Sequence, residues 1–304
     1  MTDTNSKDGD RCDRSRALVL GGGGPVGRAW QIGLVDGLVR QGIDLGAADL
    51  IIGTSADAVV GGHLALNRGV VSPETIALDA SSPPVLPSGS MADIAAAMAR
   101  AAQSPEPELI RAEVGKMALH AETISEEASV SRSMFSPFVG QTWPNNFQVV
   151  TVNARTGQLQ IWEASSGVSL APPIAASTAA PGIWPPITLN GERYIDGGVR
   201  SILNADLAIG FDIVIAVSCF AVTARHQAEV AFFKALNAAV LLELDAIRNR
   251  GASLVVIEPN SEFLVLTRHG AAMLDNNLAP EAYRLGHITA MAHAESVRSI
   301  WNSY

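Results

Sequence analysis

The chain has 304 residues, 21 Lys and Arg against 30 Asp and Glu, a net charge of −9, and 48% apolar but only 17% charged residues. This composition excludes a disordered chain and supplies the core of one large α/β domain. The acidic balance argues against a reader of nucleic-acid phosphates and against a broad basic patch on anionic lipid.

Residues 1–15 are polar and charged with no apolar stretch, so they read as a disordered tail rather than a secretory leader. No run is long and apolar enough to span a bilayer, so the expected location is the cytoplasm, with peripheral membrane contact left open. Cys12 and Cys219 are too few for a disulfide framework and lack the spacing of a zinc site. Residues 16–304 are expected to form one domain.

Its first strand is Ala17–Leu20, ending in four glycines, and a mostly apolar helix follows from Val26 to Arg40. A second apolar run, Leu50–Ile52, ends at Gly53, and Ala58–Asn67 is helical by pattern. Strand, glycine turn and helix, twice over, predict a parallel sheet with helical crossovers.

Residues 72–144 read as a helical insertion or cap. The Ser81–Pro87 stretch breaks regular structure, Ser90 caps a helix carrying Met91, Ile94 and Met98, and a second helix runs from Glu108 to His120. The strands Phe147–Val152 and Gln158–Trp162 flank a short loop, which predicts a hairpin, and Asn190-Gly191 marks a turn between Ile187–Leu189 and Arg193–Ile195. A buried strand is expected at Asp212–Ser218, a helix from Gln227 to Arg250, a strand at Ser253–Ile257 and a helix over the C-terminal 25 or so residues.

Three short motifs carry chemistry. Gly22-Gly23-Gly24-Pro25-Val26-Gly27 fits GxGxxG between a strand and a helix. It suits a dinucleotide pyrophosphate, but the acid that should end the second strand has only Asp44 as a candidate, which stands before Gly46 rather than at a strand end. The same exposed amides suit the oxyanion of a tetrahedral intermediate. Gly53-Thr54-Ser55-Ala56-Asp57 then sits where a nucleophile elbow would, with Asp57 in place of the second glycine of GxSxG. Tyr194-Ile195-Asp196-Gly197-Gly198 ends a strand on an acid under apolar cover, which would raise its basicity. His63, His226, His269 and His287 lie in or near helical stretches without a supporting motif for a triad.

Taken in this order, with the segment Ala176–Pro186 ahead of the acid, these pieces resemble the patatin-like phospholipases over Arg16 to Val217. The resemblance implies a three-layer α/β/α fold with a central, mostly parallel sheet. It also implies cleavage of lipid carboxyl esters by a Ser-Asp dyad through an acyl-enzyme, without metal or cofactor. By matched position Ser55 is the nucleophile, Asp196 the base, and the amides of Gly22, Gly23 and Gly24 the oxyanion hole. The sequence differs from the family pattern at Val26, where a basic residue is usual, and at Asp57. A catalytically impaired lipid- or partner-binding relative and a dinucleotide-binding enzyme therefore stand as alternatives. The substrate expected is a lipid or small ester, with an apolar groove from Ile183–Ile187, Leu86 and the Met-bearing helix; no nucleic-acid partner is expected, and the oligomeric state is open.

Overall fold

The computed structural model describes residues 14–66, 90–101, 103–222 and 231–301, with side chains described outside 90–95 and 231–236. The expected tail (but for residues 14 and 15), the Ser81–Pro87 breaker with Leu86, His226 and the start of the predicted 227–250 helix lie outside those residues.

The strands β1 (Arg16–Leu20), β2 (Leu50–Thr54), β3 (Phe147–Asn153), β7 (Ile213–Val217) and β8 (Ser253–Ile257) pair in parallel in the order β3-β2-β1-β7-β8. Antiparallel strands β4 (Leu159–Trp162), β5 (Ile187–Leu189) and β6 (Glu192–Asp196) extend the sheet beyond β3. The predicted strands and both predicted hairpins are thus present, although β2 runs on through Gly53 to Thr54.

Alternate residues of the strands enter two cores. Leu18, Leu20, Ile51, Ile213 and Ile215 pack with α1 (Gly24–Arg40), α2 (Asp57–Ala65) and the long C-terminal helix, Ala279–Trp301. Ala17, Val19, Ile52, Val214 and Ala216 pack on the other face with the helix Ala231–Asn249. A sheet apolar on both faces needs helices on both, which gives the three layers.

The insertion supplies α3 (Ser90–Ala101) and α4 (Pro107–His120), followed by α5 (Glu126–Val130) and a 3-10 turn, Ser133–Phe138. Ala97, Val114 and Ala118 of α3 and α4 pack on Val152 and Ile195, so these helices lean on the sheet. Met98 joins that packing, while the side chains of Met91 and Ile94 lie outside the described ones. Among the described residues no helix is long and apolar enough to cross a membrane.

One feature of the register positions the site. Val150 pairs with Thr54 of β2 and Ile161 of β4, while the next residue, Thr151, pairs with Asp196 of β6 and Gln160 of β4. Since a strand has two edges and β4 holds one, β2 and β6 share the other and run into each other end to end. Their last residues, Thr54 and Asp196, face consecutive positions of β3.

Candidate active site

Ser55 follows Thr54 and turns the chain into α2 with φ at +58°. A non-glycine residue in this left-handed region carries strain of order 1–3 kcal/mol, which persists only where surrounding structure imposes it. The sharp turn lifts the side chain off the carboxyl end of the sheet.

There the Ser55 hydroxyl donates to Asp196 Oδ2 at 2.6 Å. Asp196 Oδ1 accepts from the Gly198 amide at 2.7 Å, and the Asp196 amide donates to Ala179 O at 3.1 Å. The carboxyl is 6% exposed, and burial pushes it up to about 6 against the hydrogen bonds from Ser55 and Gly198. Gly197 makes this turn possible, since a Cβ there would lie 2.4 Å from Val150 O.

Two buried struts hold the pair. The Ser55 amide donates to Ser177 Oγ at 2.9 Å, and that hydroxyl donates to Val150 O at 2.7 Å. Asn204 Nδ2 donates to Thr54 Oγ1 at 3.2 Å and to Ser201 O at 2.7 Å, tying the end of β2 to the segment after the acid.

The glycine loop lies against the nucleophile: a Cβ on Gly22 would come 2.8 Å from Ser55 Cβ. Its three amides differ. That of Gly22 donates to Ile202 O at 2.8 Å. That of Gly23 is turned to the Asp57 carboxyl, and that of Gly24 opens α1, where no intrahelical carbonyl reaches it.

Asp57 is fully buried, with Cys219 Sγ at 3.8 Å from Oδ2 and no hydrogen-bond partner for Oδ1 among the described residues. Burial pushes its carboxyl well above the usual range, opposed by Arg28 and the Gly23 amide. The neutral form is thereby favoured, which limits the negative charge Asp57 adds beside the serine. Val26 is core, but Arg28, 5% exposed, reaches the wall of the pocket that opens over Ser55 and Asp196. Arg132, Met134, Ala180, Trp184 and Leu274 also line it.

Among the described residues no histidine lines this pocket. His63 packs edge-on against Phe138 with ring centroids 5.0 Å apart, and His287 Nε2 lies 2.9 Å from Asp36 Oδ2. Asp44 caps a 3-10 turn by accepting from the Gly46 amide at 2.8 Å, an arrangement that leaves the second strand without a ribose-binding acid.

Sequence reasoning missed four contributors. Ser177 lies in the segment Ala176–Pro186 but had no role there, and Asn204 had only the left-handed tolerance of asparagine as a signal, here φ +58°. Arg132 and the stretch carrying Leu274 and Asn276 had no signal, because their approach depends on packing over long sequence distances.

The patatin-like phospholipase family profile matches residues 18–209, from β1 past the Asn204 strut. The chain belongs to the patatin-like phospholipase family. It is accordingly a lipid acyl hydrolase by family, and the matched span holds both Ser55 and Asp196. Among solved structures, VipD from Legionella pneumophila is similar at 15% identity over 93% of this chain and 67% of its own, with a TM-score of 0.44. The type III effector protein ExoU is similar at 16% identity over 90% of this chain and 54% of its own, with a TM-score of 0.34. The chain thus spans about half the length of ExoU. Among curated proteins none matches the chain in sequence.

Proposed function

We propose that this patatin-like phospholipase hydrolyses lipid carboxyl esters with Ser55 as nucleophile and Asp196 as its base. The observation that carries the reading is the 2.6 Å hydrogen bond from Ser55 Oγ to a buried carboxylate raised to about 6. A serine hydroxyl attacks poorly until a base takes its proton, and a carboxylate poised near neutrality can do so.

As Oγ bonds to the ester carbonyl carbon, its proton passes to Asp196 Oδ2. The carbonyl oxygen becomes an oxyanion facing the glycine loop. Gly24, at the N-terminus of α1, is the foremost donor; the Gly23 amide is turned to Asp57, and Gly22, engaged by Ile202, serves to bring the loop close. Collapse expels the alcohol portion, which takes the proton from Asp196 and leaves the acyl group on Ser55. Water then gives its proton to Asp196 as it attacks the acyl carbon, and the fatty acid departs as Ser55 recovers its proton.

The test is turnover of p-nitrophenyl acyl esters and of phospholipid in mixed micelles by the purified protein, against Ser55→Ala. Hydrolysis lost in the variant supports the reading. Equal rates in both proteins, or none, would exclude it and favour the impaired relative.

A further inference from the structure

The segment that follows the base carries an ion pair that touches neither reacting group. Arg200 comes just after the Gly197–Val199 turn, and its guanidinium grips Asp206 twice: Nη1 donates to Oδ1 at 2.9 Å and Nη2 to Oδ2 at 2.5 Å. The two side chains are only 19% and 27% exposed. A pair so far out of water adds little to stability, because desolvation offsets much of its attraction. What distinguishes this one is a further hydrogen bond, from Nη1 to Asn204 Oδ1 at 2.8 Å.

Asn204 is completely buried. A buried side-chain amide needs partners for its oxygen and for both its hydrogens. Arg200 serves the oxygen. The nitrogen faces three acceptors: Ser201 O at 2.7 Å, Thr54 Oγ1 at 3.2 Å and Gly197 O at 3.4 Å. Thr54 directly precedes the nucleophile and Gly197 directly follows the base, so one amide spans a neighbour of each member of the dyad. Turned over, it would set its oxygen against two carbonyl oxygens and its NH2 group against the guanidinium, so Arg200 helps fix which way it faces. The next amide, that of Ala205, donates to Glu243 Oε2 of the helix Ala231–Asn249 at 2.8 Å and holds the same bend from its other side.

We propose that Arg200 is a positioning residue of this site: through the Asn204 amide it sets the approach of Ser55 to Asp196. This rests on the hydrolase reading above and adds to it a residue that does not touch substrate. A slackened Asn204 lets Thr54 and Gly197 part, which lengthens the hydrogen bond between the serine and the carboxyl. Attack then slows, because the reacting groups are misplaced. Asp196 also loses a hydrogen bond that favours its ionised form, so it titrates at higher pH.

The test is hydrolysis of p-nitrophenyl butyrate across pH, well below the melting temperature, by wild type, Arg200→Met, Arg200→Lys, Asn204→Ala and the double variant Arg200→Met/Asn204→Ala. Arg200→Met should lower the plateau kcat by roughly 10–100-fold with KM little changed. It should also move the acid limb of kcat/KM above the wild-type midpoint of about 6. Arg200→Lys should fall between the two, since an ammonium reaches Asn204 or Asp206 but cannot hold both by a fork. The double variant should lose no more kcat than Asn204→Ala alone, because Arg200 acts through that amide. If Arg200→Met does not fold, Arg200→Lys carries the same two readouts.

An unmoved acid limb in a folded Arg200 variant would overturn the assignment, since a purely structural loss lowers the amount of active enzyme without altering Asp196. Additive losses in the double variant would overturn it as well, because Arg200 would then act by another route. Wild-type turnover no better than that of Ser55→Ala would remove the hydrolase reading itself, and this assignment with it.

Discussion

Two regions meet at Ser55 and are built in different ways. On one side the ends of β2 and β6 abut along β3, with buried hydrogen bonds through Ser177 and Asn204 holding the serine and the carboxylate. On the other side the pocket wall comes from Arg132 and Met134 of the insertion, Trp184, and Leu274 near the C-terminal helix. The first region is fixed by strand register, so a small displacement would break several hydrogen bonds together. The second is an assembly of side chains from distant segments that can vary without disturbing the sheet. On the proposed reading, chemistry sits on the rigid part and substrate contact on the variable part.

This contrast predicts that changes to the strand ends act on kcat and changes to the wall act on KM. The largest effects belong to Ser55→Ala and Asp196→Asn, each expected to lower kcat at least about 10³–10⁴-fold with the circular dichroism spectrum unchanged. A Ser55→Ala enzyme retaining most of its turnover would break the comparison at its centre.

The pH profile comes next. Asp196 must be ionised to accept the serine proton, so kcat/KM on a neutral ester should rise about tenfold per unit up to a pH of about 6 and level off above it. Stability has the opposite sign. Between the unperturbed 3.8 and about 6 the native carboxyl holds its proton more firmly than the unfolded one, so stability falls as pH rises through that window. Above it, Asp196→Asn should melt higher than wild type in a thermal scan, since no charge is then buried.

Ser177→Ala should have a smaller effect, because it removes a strut and leaves both reacting groups. The Ser55 amide and Val150 carbonyl lose their shared partner. We expect a stability loss of about 1–3 kcal/mol in urea denaturation and a kcat drop of roughly 10–100-fold. The smallest effect belongs to Trp184→Ala, expected to raise KM for long acyl chains several-fold while kcat on p-nitrophenyl acetate changes little. A kcat loss there as large as in Ser177→Ala would erase the distinction between the two regions.

The same division explains what the sequence disclosed. The parallel core was legible because short continuous apolar runs and glycine turns are local signals, and Asn190-Gly191 announced its hairpin through two residues at positive φ. Ser55 and Asp196 were legible as separate turns, but no local pattern says that two residues 141 positions apart are neighbours. That follows from β2 and β6 pairing with consecutive residues of β3, a register property. Asp57 was an anomaly in the sequence, and only its complete burial between Cys219, Gly23 and Arg28 shows an acid held towards its neutral form. The wall was the least legible region, since Arg132 gains its place in the pocket over Ser55 only through packing against rings from distant segments.

The central claim is that one serine is activated by one carboxylate. It is tested most directly by the reaction of the purified protein with a fluorophosphonate, followed by peptide mass mapping and labelling rates across pH. The account predicts a single adduct on Ser55, absent in Ser55→Ala, strongly slowed in Asp196→Asn, and slowing below a pH of about 6 in wild type. An adduct on another residue, or labelling of Ser55 at the same rate with Asp196 replaced, would contradict it.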